Sequence, residues 1–312
     1  MEIEEIIYIC RTMANVLHNV LLALFRPFQR LPLKYHYFWG RGFAWLAGKV
    51  AGYRKDVVTV NLSRSFPELK YKQIKQLTQD FYGHLGEVFA EAIWLGGCRG
   101  NKDRFYRNIR IAVDGLEPLS EDFRHGSVMV LSGHFGNWEL IGGYMQTLAD
   151  RSDTFTEDDV AVVYRGLHNE FSEEFFRRNR TAIQKPGFSG YVESRVVMRY
   201  VVRHKDQPKI YLFPTDQSPY GTAVARHTLE FLHQPTEAMM GGAILAAKFG
   251  MPVYYLGADR TARSVYRLRL VRICDPSDGL SPEATMERFY ALLEEDINRN
   301  PANYLWSHKR WK

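Results

Sequence analysis

The chain of 312 residues is 46% hydrophobic and 24% charged, which excludes a disordered or fibrous polymer and leaves material for a large core. A formal net charge of +6 and a pI near 9.1 point to an anionic partner, whether phospholipid, nucleic acid or acidic protein. Cys10, Cys98 and Cys274 are odd in number and far apart, so no disulfide framework or metal-ligand spacing is present and a reducing compartment is the simplest reading.

Glu2, Glu4 and Glu5 give the wrong charge for the start of a secretory signal. Over residues 6–28, Ile6, Ile9, Met13, Val16, Leu17, Val20, Leu21, Leu24 and Phe28 recur at helical spacing, opposite Arg11, Asn15 and His18. A spanning helix needs roughly 20 nearly uninterrupted apolar residues. This segment instead predicts an amphipathic helix lying in a membrane interface. Residues 26–72 hold ten Lys/Arg against Asp56 and Glu68, with Phe38, Trp39, Phe43 and Trp45 among them. Basic side chains and aromatic rings together suit an anionic membrane surface. The same pattern also fits an amphipathic helix packing on the protein's own core.

Further helices are expected over residues 35–51 and 72–94, while 57–66 reads either way. The run Gly96-Gly97-Cys98-Arg99-Gly100 breaks the pattern. Beyond it, strands at 127–131, 160–164, 210–213, 252–256 and 264–273 alternate with helices at 137–148, 169–180, 191–204, 236–249 and 282–298. This alternation predicts an α/β fold with a mostly parallel central sheet flanked by helices, after a helical N-terminal portion. The division expected is an amphipathic membrane-associating helix over 1–30 and one domain over 31–312, helical to about residue 100 and α/β from 101.

Parallel strands would bring three polar sequences to one sheet edge, where sites of such folds form. These are Ser132-Gly133-His134-Phe135-Gly136-Asn137-Trp138-Glu139, then Arg165, then Pro214-Thr215-Asp216-Gln217. Asn137 is a candidate N-cap, which puts Glu139 in a first helical turn favourable to a carboxylate. From there Glu139 could orient His134 and stabilise its charged form, while Gly133 and Gly136 could aim backbone N–H groups at an oxyanion. Alone, these residues fit a hydrogen-bonded loop histidine and a glutamate that only complements the helix dipole better than a catalytic pair. Arg180, closing a charged helix, and Asp216, after a strand, have similar bland alternatives as a solvated residue and a cap. Covalent mechanisms lack their signals. No G-x-S-x-G elbow exists, Gly187-Phe188-Ser189-Gly190 has the wrong spacing, and no phosphate-binding or dinucleotide fingerprint appears.

The string His134-Phe135-Gly136-Asn137-Trp138-Glu139 resembles the His-x4-acid block of glycerolipid acyltransferases. With Glu as the acid, it is similar to the lipid A biosynthesis (late) acyltransferase family. Val163-Tyr164-Arg165 with Arg180, Thr215-Asp216-Gln217, residues 228–236 followed by Gly250-Met251-Pro252-Val253, and the ending Tyr304-Leu305-Trp306-Ser307-His308-Lys309-Arg310-Trp311 resemble later blocks in the same order. The chain departs from the family at Gly166, where proline is usual, and at Leu232-His233-Gln234, where an aromatic-Gly pair is common.

The resemblance implies an O-acyltransferase working directly, without cofactor or metal. Acyl-acyl carrier protein, or acyl-CoA, would donate to a hydroxyl of a lipid A precursor at the cytoplasmic face of the inner membrane. It implies His134, Glu139, Arg180 and Asp216 as catalytic residues, and Arg165, Asn137 and Gln217 as substrate contacts. Carrier protein, membrane lipid acceptor and anionic membrane surface are the expected partners, with no nucleic-acid module. The alternatives are acylation of another lysolipid or glycolipid, and a catalytically silent peripheral lipid-binding protein.

Overall fold

Residues 25–166, 170–219 and 227–311 are described by a computed structural model of the chain. The amphipathic helix expected over residues 6–28 therefore lies almost wholly outside the described residues. The N-terminal portion holds α1 (Leu33–Trp45, continued by a π-helical turn over Leu46–Val50), α2 (Lys55–Ser65) and α3 (Tyr71–Gly96). The stretch at 57–66 is thus helical. Helices α1 and α3 cross at two glycines, because a β-carbon on Gly40 would overlap the Gly86 carbonyl and one on Gly86 that of Gly40.

The chain continues through α4 (Lys102–Asn108), β1 (Arg110–Asp114), α5 (Leu116–His125) and β2 (Val128–Ser132). A 3₁₀ turn at Trp138–Leu140 leads into α6 (Ile141–Arg151), β3 (Val160–Tyr164) and α7 (Glu170–Arg180). Next come β4 (Tyr191–Glu193), α8 (Val197–Arg203), β5 (Ile210–Pro214), β6 (Thr228–Phe231) and β7 (Gln234–Glu237). The last elements are α9 (Gly241–Phe249), β8 (Val253–Ala262), β9 (Val265–Cys274) and α10 (Pro282–Arg299).

Two expected helices begin later than their periodicity indicates. Tyr191 and Val192, both good strand formers, pair with the open edge of β3, so the helix expected from 191 starts at Val197. Likewise Gln234–Glu237 pairs back on Thr228–Phe231, and the helix expected from 236 starts at Gly241. Leu232 and His233 turn that hairpin with φ of 50° and 60°, the left-handed pair that suits the twist of a two-residue connection.

The seven-stranded sheet has the order β1-β9-β8-β2-β5-β3-β4. Strands β8, β2, β5, β3 and β4 run parallel; β9 returns antiparallel to β8 and carries β1 parallel to itself. The fold is the mostly parallel α/β layer that the alternation predicts. Val128, Val130, Val162, Ile210 and Leu212 face one apolar cluster with α5 and α6, and Met129, Leu131, Val163, Tyr211 and Phe213 face the other with α2, α3, α9 and α10. Both faces of β2 are therefore covered, which is why all five of its residues are buried and the four from Val128 to Leu131 are apolar.

Candidate active site

Strand register builds the first half of the site. β2 and β5 pair from Val128 opposite Ile210 to Ser132 opposite Pro214, and the Thr215 N–H donates to the Ser132 carbonyl (2.9 Å). The same offset carried two residues past the strand ends sets His134 against Asp216. The His134 backbone N–H donates to Asp216 Oδ2 (2.8 Å), and Nδ1 lies 2.6 Å from Oδ1. Asp216 is 2% exposed. Burial alone would raise the Asp216 carboxyl; the imidazole's charge and the two hydrogen bonds from His134 reverse this and hold it below the usual carboxylate value. For His134, burial works against the charged ring, but the charge and hydrogen bond of Asp216, with a smaller contribution from Glu139, raise its pKa above 6.5. With a carboxylate on Nδ1, the ring carries its proton there and offers Nε2 as the base. Gln217 Nε2 stands 3.1 Å from that nitrogen, so the amide donates to its lone pair.

The turn after His134 is clamped from two sides. Gly136 has φ +69°, and a β-carbon there would overlap the Ala258 carbonyl, so this position requires glycine. Its N–H donates to the Asn303 carbonyl (3.0 Å) and is not available to an oxyanion, contrary to the expectation from sequence. The Leu305 N–H donates to the His134 carbonyl (3.1 Å), so the C-terminal block holds one side of the turn. Helix α3 holds the other, through His84 Nε2 to the Gly136 carbonyl (2.9 Å) and Glu91 Oε2, which accepts from Asn137 Nδ2 (2.7 Å). Burial, with the charge of Arg260, lowers the pKa of His84 to about 3 despite the bond to Gly136, so this ring is neutral and positions the backbone. Asn137 caps the 3₁₀ turn, accepting from the Glu139 N–H (3.1 Å). It is fully buried with both ends of its amide engaged by neighbouring protein groups.

Glu139 also differs from expectation. It does not orient His134; both of its oxygens take Arg180, Nε to Oε2 and Nη2 to Oε1, each at 2.9 Å. This parallel pairing suits the planar guanidinium. Burial disfavours the Arg180 charge, but the Glu139 carboxylate more than offsets it and raises the guanidinium pKa. Arg180 therefore pairs with Glu139, not with Asp216.

These residues border a cavity of about 840 Å³ beyond the carboxyl ends of β2, β5 and β3. His134, Arg165, Arg180 and Gln217 line it, whereas Glu139 and Asp216 stand behind its wall. Much of the rest is apolar: Trp138, Ile141, Val163, Phe213, Met240 and Leu245. Sequence reasoning did not assign Trp138, whose ring centroid is 5.9 Å from that of His134, or Arg195, a third cation on the wall. His84 and Glu91 share one face of α3 at a seven-residue spacing, which carries no chemical signature of its own.

Comparison with known proteins fits this arrangement. The profile of the bacterial lipid A biosynthesis acyltransferases matches residues 11–312. The chain belongs to that family. It is 24% identical over 263 residues to the lipid A biosynthesis palmitoleoyltransferase of Escherichia coli (strain K12), covering 83% of this chain and 79% of that protein. The figures are the same for the lipid A biosynthesis acyltransferase of Shigella flexneri. Among solved structures, the 1-acyl-sn-glycerophosphate acyltransferase of Thermotoga maritima aligns over 92% of this chain and 99% of its own, at 14% identity and a TM-score of 0.36.

Proposed function

We propose that the protein transfers a fatty acyl chain from acyl-acyl carrier protein, or from acyl-CoA, to a hydroxyl of a lipid A precursor, working peripherally at the cytoplasmic face of the inner membrane. The observation that carries this reading is the placement of His134 with Asp216 on Nδ1 and the cavity on Nε2. In the reaction Nε2 takes the acceptor O–H proton while the oxygen attacks the thioester carbonyl. The tetrahedral intermediate then collapses, the C–S bond breaks, and the leaving sulfur takes the proton from Nε2. Arg180, held by Glu139, supplies positive charge to the oxyanion or to an acceptor phosphate, and Gln217 yields its bond on Nε2 to the incoming hydroxyl. No covalent enzyme intermediate is required.

Peripheral association is supported by exposed Phe38, Trp39 and Trp45 on α1 and its continuation, among Lys34, Arg41 and Lys49. Among the described residues no helix is long and apolar enough to cross a membrane. The test is transfer by the purified full chain from acyl-acyl carrier protein and acyl-CoA to a lipid A precursor, a lysophospholipid and a glycolipid. Mass spectrometry of cell lipids with and without the gene supplies the second measurement. A new acyl ester on the lipid A precursor is the expected product. Transfer to none of these acceptors, with cell lipids unchanged, would overturn the reading.

A further inference from the structure

A second cleft, sharing no lining residue with the transfer cavity, lies where residues 26–30 meet the end of α3 and the last turn of α7. Its volume is about 280 Å³. Arg26, Arg30, Arg99 and Arg178 line it, and among the described residues its lining contains no carboxylate. Glu174 pairs with Arg178 (3.2 Å) and Arg177 (2.7 Å), leaving the cluster strongly positive. Arg99 is fixed in place by donating to the Arg178 carbonyl. Burial and then the charges of Arg178 and Arg177 lower its pKa, the mark of guanidiniums held together with too little negative charge between them.

A buried amide stands beside the arginines. Asn179, 4% exposed, accepts from Gln29 Nε2 (3.0 Å) at Oδ1, while its amide nitrogen has no partner and the residue lines the cleft. Buried donors without acceptors are costly. Four arginines with no carboxylate among the lining residues fit a small group that only accepts and carries several oxygens, which is a phosphate.

The surroundings select its source. The chain leaving Arg30 exposes Leu31, Tyr35, Phe38 and Trp39, the last two at 62% and 59%. A phosphate cleft at the edge of an exposed aromatic helix face is the geometry of a headgroup contact, with rings at the depth of the interface and cations around the phosphate. We propose that this cleft holds the phosphate of an anionic membrane lipid, so that the protein docks through arginines and aromatic rings together. The proposal rests on the peripheral-membrane reading above, but not on the transfer chemistry.

The test uses the full chain and vesicles of phosphatidylcholine with and without phosphatidylglycerol. Arg30→Gln/Arg99→Gln is compared with a charge-matched control, Lys205→Gln/Lys248→Gln, after melting curves confirm that each variant is folded. If the double exchange unfolds the chain, Arg26→Gln/Arg30→Gln, at two exposed positions, replaces it. The expected result is a roughly 30-fold weaker binding to phosphatidylglycerol vesicles for the cleft variant, the sum of two cations near an anionic surface, and a few-fold change for the control. Transfer to a detergent-dispersed acceptor should be unchanged. Equal weakening in both variants would mean diffuse charge and overturn the site. Wild-type binding to neither vesicle would overturn the membrane reading and the site with it. Inorganic phosphate that raises the wild-type melting temperature but not that of the variant, with equal vesicle binding, would assign the cleft to a free phosphate and overturn the lipid.

Discussion

Glu139 closes a two-bond ring with Arg180 and leaves His134 to Asp216. The cavity is thus backed by two acid–base pairs. One pair tunes a base; the other fixes a cation on the cavity wall.

The second pair should show strong coupling. Removing one partner leaves an uncompensated charge with little access to water, since the side chains are 24% and 10% exposed. Glu139→Gln and Arg180→Gln are each expected to cost about 2–3 kcal/mol, below the 3–5 of a fully buried pair because Arg180 retains some solvent. The double variant should lose at least about 1 kcal/mol less than the two single losses added together. Additive losses in chemical denaturation would show that the pair is not a unit.

The sheet was legible because its strands are short apolar runs between helices, and the three strand ends that form the site could be named from that alternation. The partners at those ends were not. Glu139 is five residues from His134 and Asp216 is 82 away, yet register makes the distant carboxylate the neighbour of the ring. Local spacing favours the near acid because it contains no information about which strands are adjacent. Asn137 was recognised as a cap from its type, but its burial depends on Glu91 of α3, a long-range contact. Residues 191–193 and 236–237 read as helix because their apolar spacing continues into α8 and α9; the open edge of β3 and the tight turn at Leu232-His233 decide otherwise.

The exposed rings of α1 should matter for the membrane and not for the fold. Phe38→Ser/Trp39→Ser removes two side chains that are 62% and 59% exposed, so the melting temperature should move by no more than a degree or two. Partitioning onto phosphatidylglycerol vesicles should fall by about tenfold or more, since each ring loses apolar surface to water. Unchanged partitioning in a sedimentation assay would assign anchoring to another surface.

Gly241 offers a handle on acyl length. It lines the cavity at the start of α9, and a β-carbon there would meet nothing within 4 Å, whereas one on Gly242 would stand 2.8 Å from Leu131 Cδ2. Gly241→Leu should therefore fold normally and project into the cavity. Turnover with long acyl donors is expected to fall at least tenfold relative to short ones in a chain-length series. An equal fall for every length would mean that the acyl chain does not pass this wall.

The last prediction separates the two carboxylates by pH. His134 must be neutral to act as a base, and its pKa is raised, so kcat/KM should climb with pH through a midpoint above 6.5. Asp216→Asn removes the largest influence raising that value and leaves burial, which lowers it. The midpoint should then drop below 6.5, and the plateau rate should fall by about 10³–10⁴ because the amide no longer fixes the productive tautomer. Glu139→Gln removes only a smaller contribution, so its midpoint should move much less even where its rate is reduced through Arg180. Stability gives an independent readout of the same pair. The raised His134 contributes stability in full below pH 6.5 and loses it as pH rises through the higher folded value. The depressed Asp216 contributes above pH 3.8 and loses it as pH falls through the lower folded value. The melting temperature of wild type minus that of Asp216→Asn should therefore be greatest between pH 3.8 and 6.5 and shrink on either side. If Glu139→Gln moves the kinetic midpoint as far as Asp216→Asn does, and the melting difference for Asp216→Asn is flat across that range, then the base is tuned by the near carboxylate and the pairing of His134 with Asp216 has no catalytic part.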